Sequence, residues 1–266
     1  MMKNLWGALR LYGHYVSVNV RSAMQYKASM LLMIMGQLLI STSTFFGIHF
    51  MFMRFHSVGG YTYSEVLLCF SIVLMQFSLA EMFARGFDLF AGIVRRGEFD
   101  RVLVRPRSAM LQVLGAKFEI SRVGRLLQAA IIFAYVLLTC EVSWTPGRIL
   151  CLLLMLAGGV LLFGGLFLVH ASVCFFTLEG LEFMNVFTDG GREYGKYPLD
   201  IYGEGILKFS TCVIPYALIQ YYPLQYLLGR SDNLLYALCP LGVTGFLAAA
   251  YLFWRFGVRH YTSSGS

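Results

Sequence analysis

The chain has 266 residues, 58% of them hydrophobic and 13% charged, with a formal net charge of +7. Soluble domains average roughly 45–50% apolar and about 25% charged residues, so this composition excludes a soluble catalytic domain and places the chain in lipid. The basic residues fall in the gaps between apolar runs, where they report membrane topology rather than affinity for nucleic acid.

Residues 1–27 have helical period, with Leu5, Leu9, Tyr12, Val16 and Val20 on one face and Lys3, Arg10, His14, Ser17 and Arg21 on the other. This pattern predicts an amphipathic helix lying on the membrane surface. A first span is expected over 28–53 and a second from 64 to about 94. The second carries Glu81, Arg85 and Asp88 at i, i+4 and i+7, on one helical face. An unpaired arginine at the bilayer centre costs about 2.5–3.5 kcal/mol. A self-neutralised cluster near the cytoplasmic end is therefore the plainer reading, and a polar patch on a transport path the sharper one.

The stretch 95–117 is polar and compact. Glu98, Arg101 and Arg105 recur at helical spacing, Phe99, Val102 and Leu103 supply an apolar flank beside Asp100, and Pro106 stops the helix. Two readings stand side by side: a topogenic loop held on anionic lipid, or a docking helix for a cytoplasmic partner. The third span is expected over 126–140, preceded by Glu119, Arg122 and Arg125, and the fourth over 149–176. In the fourth, Gly158 and Gly165 stand one heptad apart and predict a closely approaching helix.

Residues 177–205 are polar and Gly-rich and are read as a cytoplasmic loop holding Arg192 and Lys196, with six acids from Glu179 to Glu204. Gly190–Lys196 follows the phosphate-cradling pattern G-x-x-x-x-G-K, but Tyr197 replaces the magnesium-binding hydroxyl and no strand precedes it, so a Gly-rich loop is expected rather than a nucleotide site. A fifth span is placed at 206–222, containing Pro215 and closed by Pro223. Residues 221–229 are too short to span and suit a re-entrant turn, with Tyr221, Tyr222 and Tyr226 as aromatic walls for an amphipathic cargo. A sixth span, 234–256, precedes a basic tail.

The expected organisation is all-α: an interfacial helix at 1–27, one six-helix transmembrane domain at 28–256 with the loop 95–117 inside it, and a tail at 257–266. With both termini inside, eighteen of the 21 lysines and arginines are cytoplasmic, leaving Arg54, Arg148 and Arg230 outside. The six cysteines lie in apolar runs without ligand spacing, and His49 and His170 stand isolated within spans. No hydrolase motif or paired-carboxylate arrangement is present, so neither catalysis nor a bound cofactor is expected of this chain.

Four stretches then resemble one family: GEFDRVLVRP at 97–106, KYPLDIY at 196–202, VIPYALIQYYP at 213–223 and RHYTSSGS at 259–266. In that order, with a basic N-terminal helix and six spans, they resemble the permeases of type 2 ABC exporters, bacterial integral-membrane subunits that work with a separate ATPase. Residues 189–196, DGGREYGK, are more glycine-rich than the family's pattern. The resemblance implies a permease of the inner membrane, paired with an identical or related second permease. It also implies two cytoplasmic ATP-binding subunits, which would hold ATP and magnesium. Residues 95–107 would be the coupling helix, moving chiefly spans two and three. The alternative is an ATP-independent channel or secondary carrier, which the sparse acids within the spans disfavour.

Overall fold

The computed structural model describes residues 2–140, 142–177 and 182–262. Glu179 and the last four residues of the terminal motif lie outside them.

The described residues carry helices and no strand. Helix α1 (Met2–Gln25) covers the stretch expected to be helical at the N-terminus; α2 (Lys27–Arg54) follows after a break at Tyr26. Next come α3 (Tyr63–Asp88), α4 (Phe90–Arg95), α5 (Glu98–Leu103) and α6 (Ala109–Gly115). The 3-10 turn Ile120–Arg122 leads into α7 (Val123–Thr139), and α8 (Pro146–Thr177) follows. After α9 (Met184–Tyr194) and the 3-10 turn Leu199–Tyr202 come α10 (Glu204–Cys212), α11 (Tyr216–Ile219) and α12 (Tyr221–Leu227). The chain ends in α13 (Leu234–Leu238), a 3-10 turn and α14 (Val243–His260).

Five segments among the described residues are long and apolar enough to cross a bilayer: Lys27–Arg54, Tyr63–Arg95, Ile120–Thr139, Pro146–Thr177 and Leu234–His260. The central one is α3, with 83% of its apolar window buried against 11% for α2. A capping box starts it, in which the Thr62 amide donates to Glu65 Oε2 at 2.8 Å and the Glu65 amide to Thr62 Oγ1 at 3.4 Å. Its side chains join two apolar clusters stacked along the bundle. One, around Phe87, Phe90, Phe99 and Trp254, sits at the end bearing α5; the other, around Tyr61, Leu67, Cys151 and Leu224, sits at the far end.

Small residues allow this close packing. A Cβ on Gly159 would collide with the buried Gln76 side chain, whose Nε2 donates to the Met155 carbonyl at 3.0 Å. As expected from their heptad spacing, Gly158 and Gly165 face the neighbouring helix layer, with Pro240 and Phe246 where their β-carbons would stand.

The expected continuous fifth span over 206–222 is not there. Pro215 has no amide hydrogen to donate, and the segment divides into α10, α11 and α12, none longer than nine residues or about 14 Å at 1.5 Å per residue. Pro223 does not close the run but lies in the first turn of α12, where its missing N–H leaves no helical bond unmade.

The path from α8 to α13 runs instead through the stretch read as a cytoplasmic loop. Arg192 lies over the Phe77 ring at 4.9 Å, the Gly195 carbonyl accepts from Cys69 Sγ at 3.3 Å, and Asp200 Oδ2 accepts from Tyr61 at 2.9 Å. As the numbers rise from 192 to 200, the partners fall from 77 to 61, so this stretch runs antiparallel to α3 from the α5 end to the far end. The Gly-rich stretch is helical through Tyr194, and Gly191 lets Tyr216 approach where a Cβ would collide with its ring and hydroxyl. Lys196, counted with the cytoplasmic bases, is buried.

Candidate functional site

The first candidate is the elbow between α3 and α7. Gly97, at φ +66°, reverses the chain into α5 in a conformation that favours glycine. Helix α5 ends at Leu103, and the following residues through Arg107 stay exposed. Gln112 on α6 braces the turn, its Nε2 donating to the Val102 and Arg107 carbonyls at 3.1 and 3.2 Å.

Phe99 is fully buried. Its ring meets Phe90, Phe175 and Tyr261 at centroid distances of 5.1, 5.3 and 5.0 Å, with Trp254 at 6.4 Å. The edge-to-face pairs among these, with Phe90, Tyr261 and Trp254, add about 0.5–1.5 kcal/mol each beyond burial. Those partners come from α4, the C-terminal end of α8, and the end of α14 with the residue after it, so one side chain ties the elbow to three long segments. The opposite face presents Arg101, Leu103, Val104 and Arg105, and Val104 is 83% exposed. Arg96 donates to Glu98 at 2.8 Å; this hydrogen bond holds the Glu98 carboxyl below the usual carboxylate range and raises the guanidinium.

The second candidate is the polar cluster on α3. Glu81, buried, receives Arg85 Nη1 at 3.3 Å, Arg122 Nη2 at 3.1 Å, and Arg125. Arg85 also reaches Asp88 Oδ2 at 2.6 Å, and Asp88 Oδ1 lies 3.4 Å from His170 Nδ1 on α8. The three residues expected to pair do so, but one carboxylate faces three arginines. Spacing within one helix could not show that Arg122 and Arg125, which precede and open the third span, turn inward to meet it. Nor could it give His170 a partner, or His49, whose Nδ1 stands 3.0 Å from the Tyr63 hydroxyl.

The third candidate is the Pro215 region. Pro215 is buried, and Tyr216 donates to the Phe187 carbonyl and meets Phe163 at 5.9 Å, midway along the bundle. Gln225 then returns to the far end, donating to the Tyr61 hydroxyl at 2.6 Å. Tyr221 and Tyr222 meet each other at 5.2 Å, and Tyr222 meets Tyr236 at the same distance. All three tyrosines expected to form aromatic walls, Tyr226 included, are half-buried in this hairpin, Tyr226 packing against the far-end cluster.

Arg125, Arg192 and Lys196 also converge around a small cavity beside α2. Among the described residues no three His, Cys, Asp or Glu side chains converge as a metal site would require.

No curated protein and no solved structure gives a match to this chain. The family model described as ABC-2 family transporter protein matches residues 38–265, a range that takes in all five long segments from partway along α2 and every candidate site above. The chain is therefore a multi-pass membrane protein belonging to the ABC-2 transporter family.

Proposed function

We propose that this chain is the permease subunit of an ATP-driven exporter in the bacterial inner membrane, with both termini cytoplasmic. It pairs with a second permease, identical or related, and with two copies of a cytoplasmic ATP-binding subunit that hold ATP and magnesium. The exposed apolar face of α2, with Leu32, Leu39 and Phe50 each more than half accessible, suits lipid or that second permease.

The observation that carries this reading is the build of the elbow. An exposed face of Arg101, Val104 and Arg105 is fixed to the bundle by a buried phenylalanine among four aromatic rings. Such a part transmits force: a partner pressing on the exposed face displaces α4, α8 and α14 together. The aromatic contacts favour these helices as the driven set, more than the second and third spans alone. Closure of the ATP-binding pair would bias a two-state equilibrium between inward and outward access, which requires that it bind the two states unequally.

On this reading the membrane is crossed six times, and the fifth crossing is the polar stretch from α9 to Tyr202. Backbone that is not continuously helical survives at membrane depth only when protein surrounds it, and Gln220 does this by donating to the Tyr197 carbonyl at 2.8 Å. The hairpin of α10 to α12 is re-entrant from the outer face.

Chain purified from its native membranes should carry ATP hydrolysis through its partner, and the double charge reversal Arg101→Glu/Arg105→Glu should remove it. Hydrolysis that persists with the double variant contradicts the docking role, and transport by the chain alone under an ion gradient establishes the carrier alternative.

A further inference from the structure

Around Glu81 and the neighbouring cavity the buried charge of the described residues does not balance. Five cationic side chains in that region are no more than 25% exposed: Arg85, Arg122, Arg125, Arg192 and Lys196. They meet two comparably buried acids, Glu81 and Asp88, while Asp189 and Glu193, which pair with Arg192 and Lys196, are more than half exposed. Glu81 is already shared by three arginines, and the Nε atoms of Arg85, Arg122 and Arg125 have no hydrogen-bond partner. Excess buried charge is expensive in an apolar bundle, and this region has more buried cations than buried acids, which favours a further anion there.

The cavity where Arg125, Arg192 and Lys196 converge shows where an anion would sit. It leaves about 40 Å³ for the centres of water-sized groups, whereas one water needs only roughly 10–15 Å³. Its other walls include the Ser41 and Thr44 hydroxyls and the apolar side chains of Phe70, Leu74 and Ile40. Glu193 lines it too, but its carboxylate is engaged by Lys196 and Arg192. Ile40 is 66% exposed and neighbours the exposed Leu39, so the cavity opens past it onto the apolar outer face of α2. A ligand entering from that side comes from the membrane.

We infer that this cavity binds the phosphate-class head of an anionic amphiphile, with two guanidinium groups and one ammonium on its oxygens and the apolar tail lying along α2. Planar guanidinium forks suit a tetrahedral oxyanion, and the cavity is too small for more than a head group. The site is a binding equilibrium and does not depend on whether ATP drives the chain.

The test is retention of lipid by the purified chain, read by native mass spectrometry after extraction from mixed phosphatidylglycerol and phosphatidylcholine vesicles. The wild type should retain phosphatidylglycerol selectively, and Arg192→Gln/Lys196→Gln should reduce that retention about tenfold or more, because two charge-assisted contacts to the head group are lost. The control Arg255→Gln/Arg259→Gln removes the same charge from exposed positions and should retain as much as the wild type. Equal retention by wild type and the 192/196 variant, or equal loss in the control, overturns the site. Thermal protection by inorganic phosphate in detergent, present in the wild type and absent in the 192/196 variant, would support the anion site with a soluble source; protection by phosphatidylglycerol alone supports the lipid. Arg125→Gln should lower retention as well, and should it fail to fold, the 192/196 variant, which leaves the Glu81 cluster untouched, decides the matter.

Discussion

The elbow end and the middle of the bundle each join several helices, by opposite means. Around Phe99 the joint is made of rings, packed edge to face or tilted and indifferent to pH and salt. Around Glu81 it is made of charge, with one buried carboxylate facing three arginines drawn from two segments. An aromatic joint transmits motion because its packing is unique. A charged joint can exchange partners, which suits a region that passes between the two arrangements of the proposed cycle. The difference teaches where this molecule is rigid and where it can switch.

The charged joint should be the easier to break. Glu81→Gln leaves three guanidinium groups without their shared carboxylate, and losing one partner of a buried charge set costs about 3–5 kcal/mol. Unfolding in detergent should show that loss, and a variant as stable as the wild type would mean that the arginines find other partners. Phe99→Ala should cost about 3 kcal/mol, the lower end for deleting a buried phenylalanine, because the cage can partly collapse. Unlike Glu81→Gln, it should uncouple ATP hydrolysis from any change in α14, read by a spin label near Trp254; coupling that survives would show that force passes elsewhere.

Arg101→Glu/Arg105→Glu, on the exposed face, should shift stability by no more than about 0.5 kcal/mol while abolishing association with the ATP-binding subunit. A large stability loss there would mean that the face is packed, not presented. The smallest effect concerns pH. Glu98 is lowered by Arg96, so whatever this pair contributes is present above the ordinary carboxylate value and lost as pH falls through the lowered one. Association should therefore be flat from pH 6 to 8 as far as this pair is concerned, and a titration there assigned to Glu98 by its Gln variant would contradict that sign.

The long helices were legible because apolar runs of about 20 residues with basic flanks have few other solutions. Four of the spans read from the sequence lie within a few residues of the helices observed, as does the sixth when α13 and α14 are taken together. The short helix at 98–103 was legible from its charge spacing, but it ends at Leu103, before the Arg105 expected within it and short of Pro106. The stretch 182–222 was not, because its composition argues the wrong way. Polar, Gly-rich residues normally mean a loop, but here Gly191 and Gly195 allow close packing on Tyr216 and Val73, and the polar side chains find partners inside the protein. The apolar run 206–222, which looked like a span, folds back at Pro215 instead. Of the sites, the elbow's exposed face was visible in the sequence. The cage around Phe99 and the arginines facing Glu81 were not, since both are contacts between helices far apart in the chain.

The elbow's side of the membrane tests the account most directly. With the exposed Cys212 replaced, Arg101→Cys should react with a membrane-impermeant maleimide in inside-out vesicles, be shielded there by the ATP-binding subunit, and stay unlabelled in intact cells. Asp232→Cys, at the far end, should label in the reverse pattern. Labelling at position 101 from the outside alone would contradict the account, because the elbow could then meet no cytoplasmic ATPase.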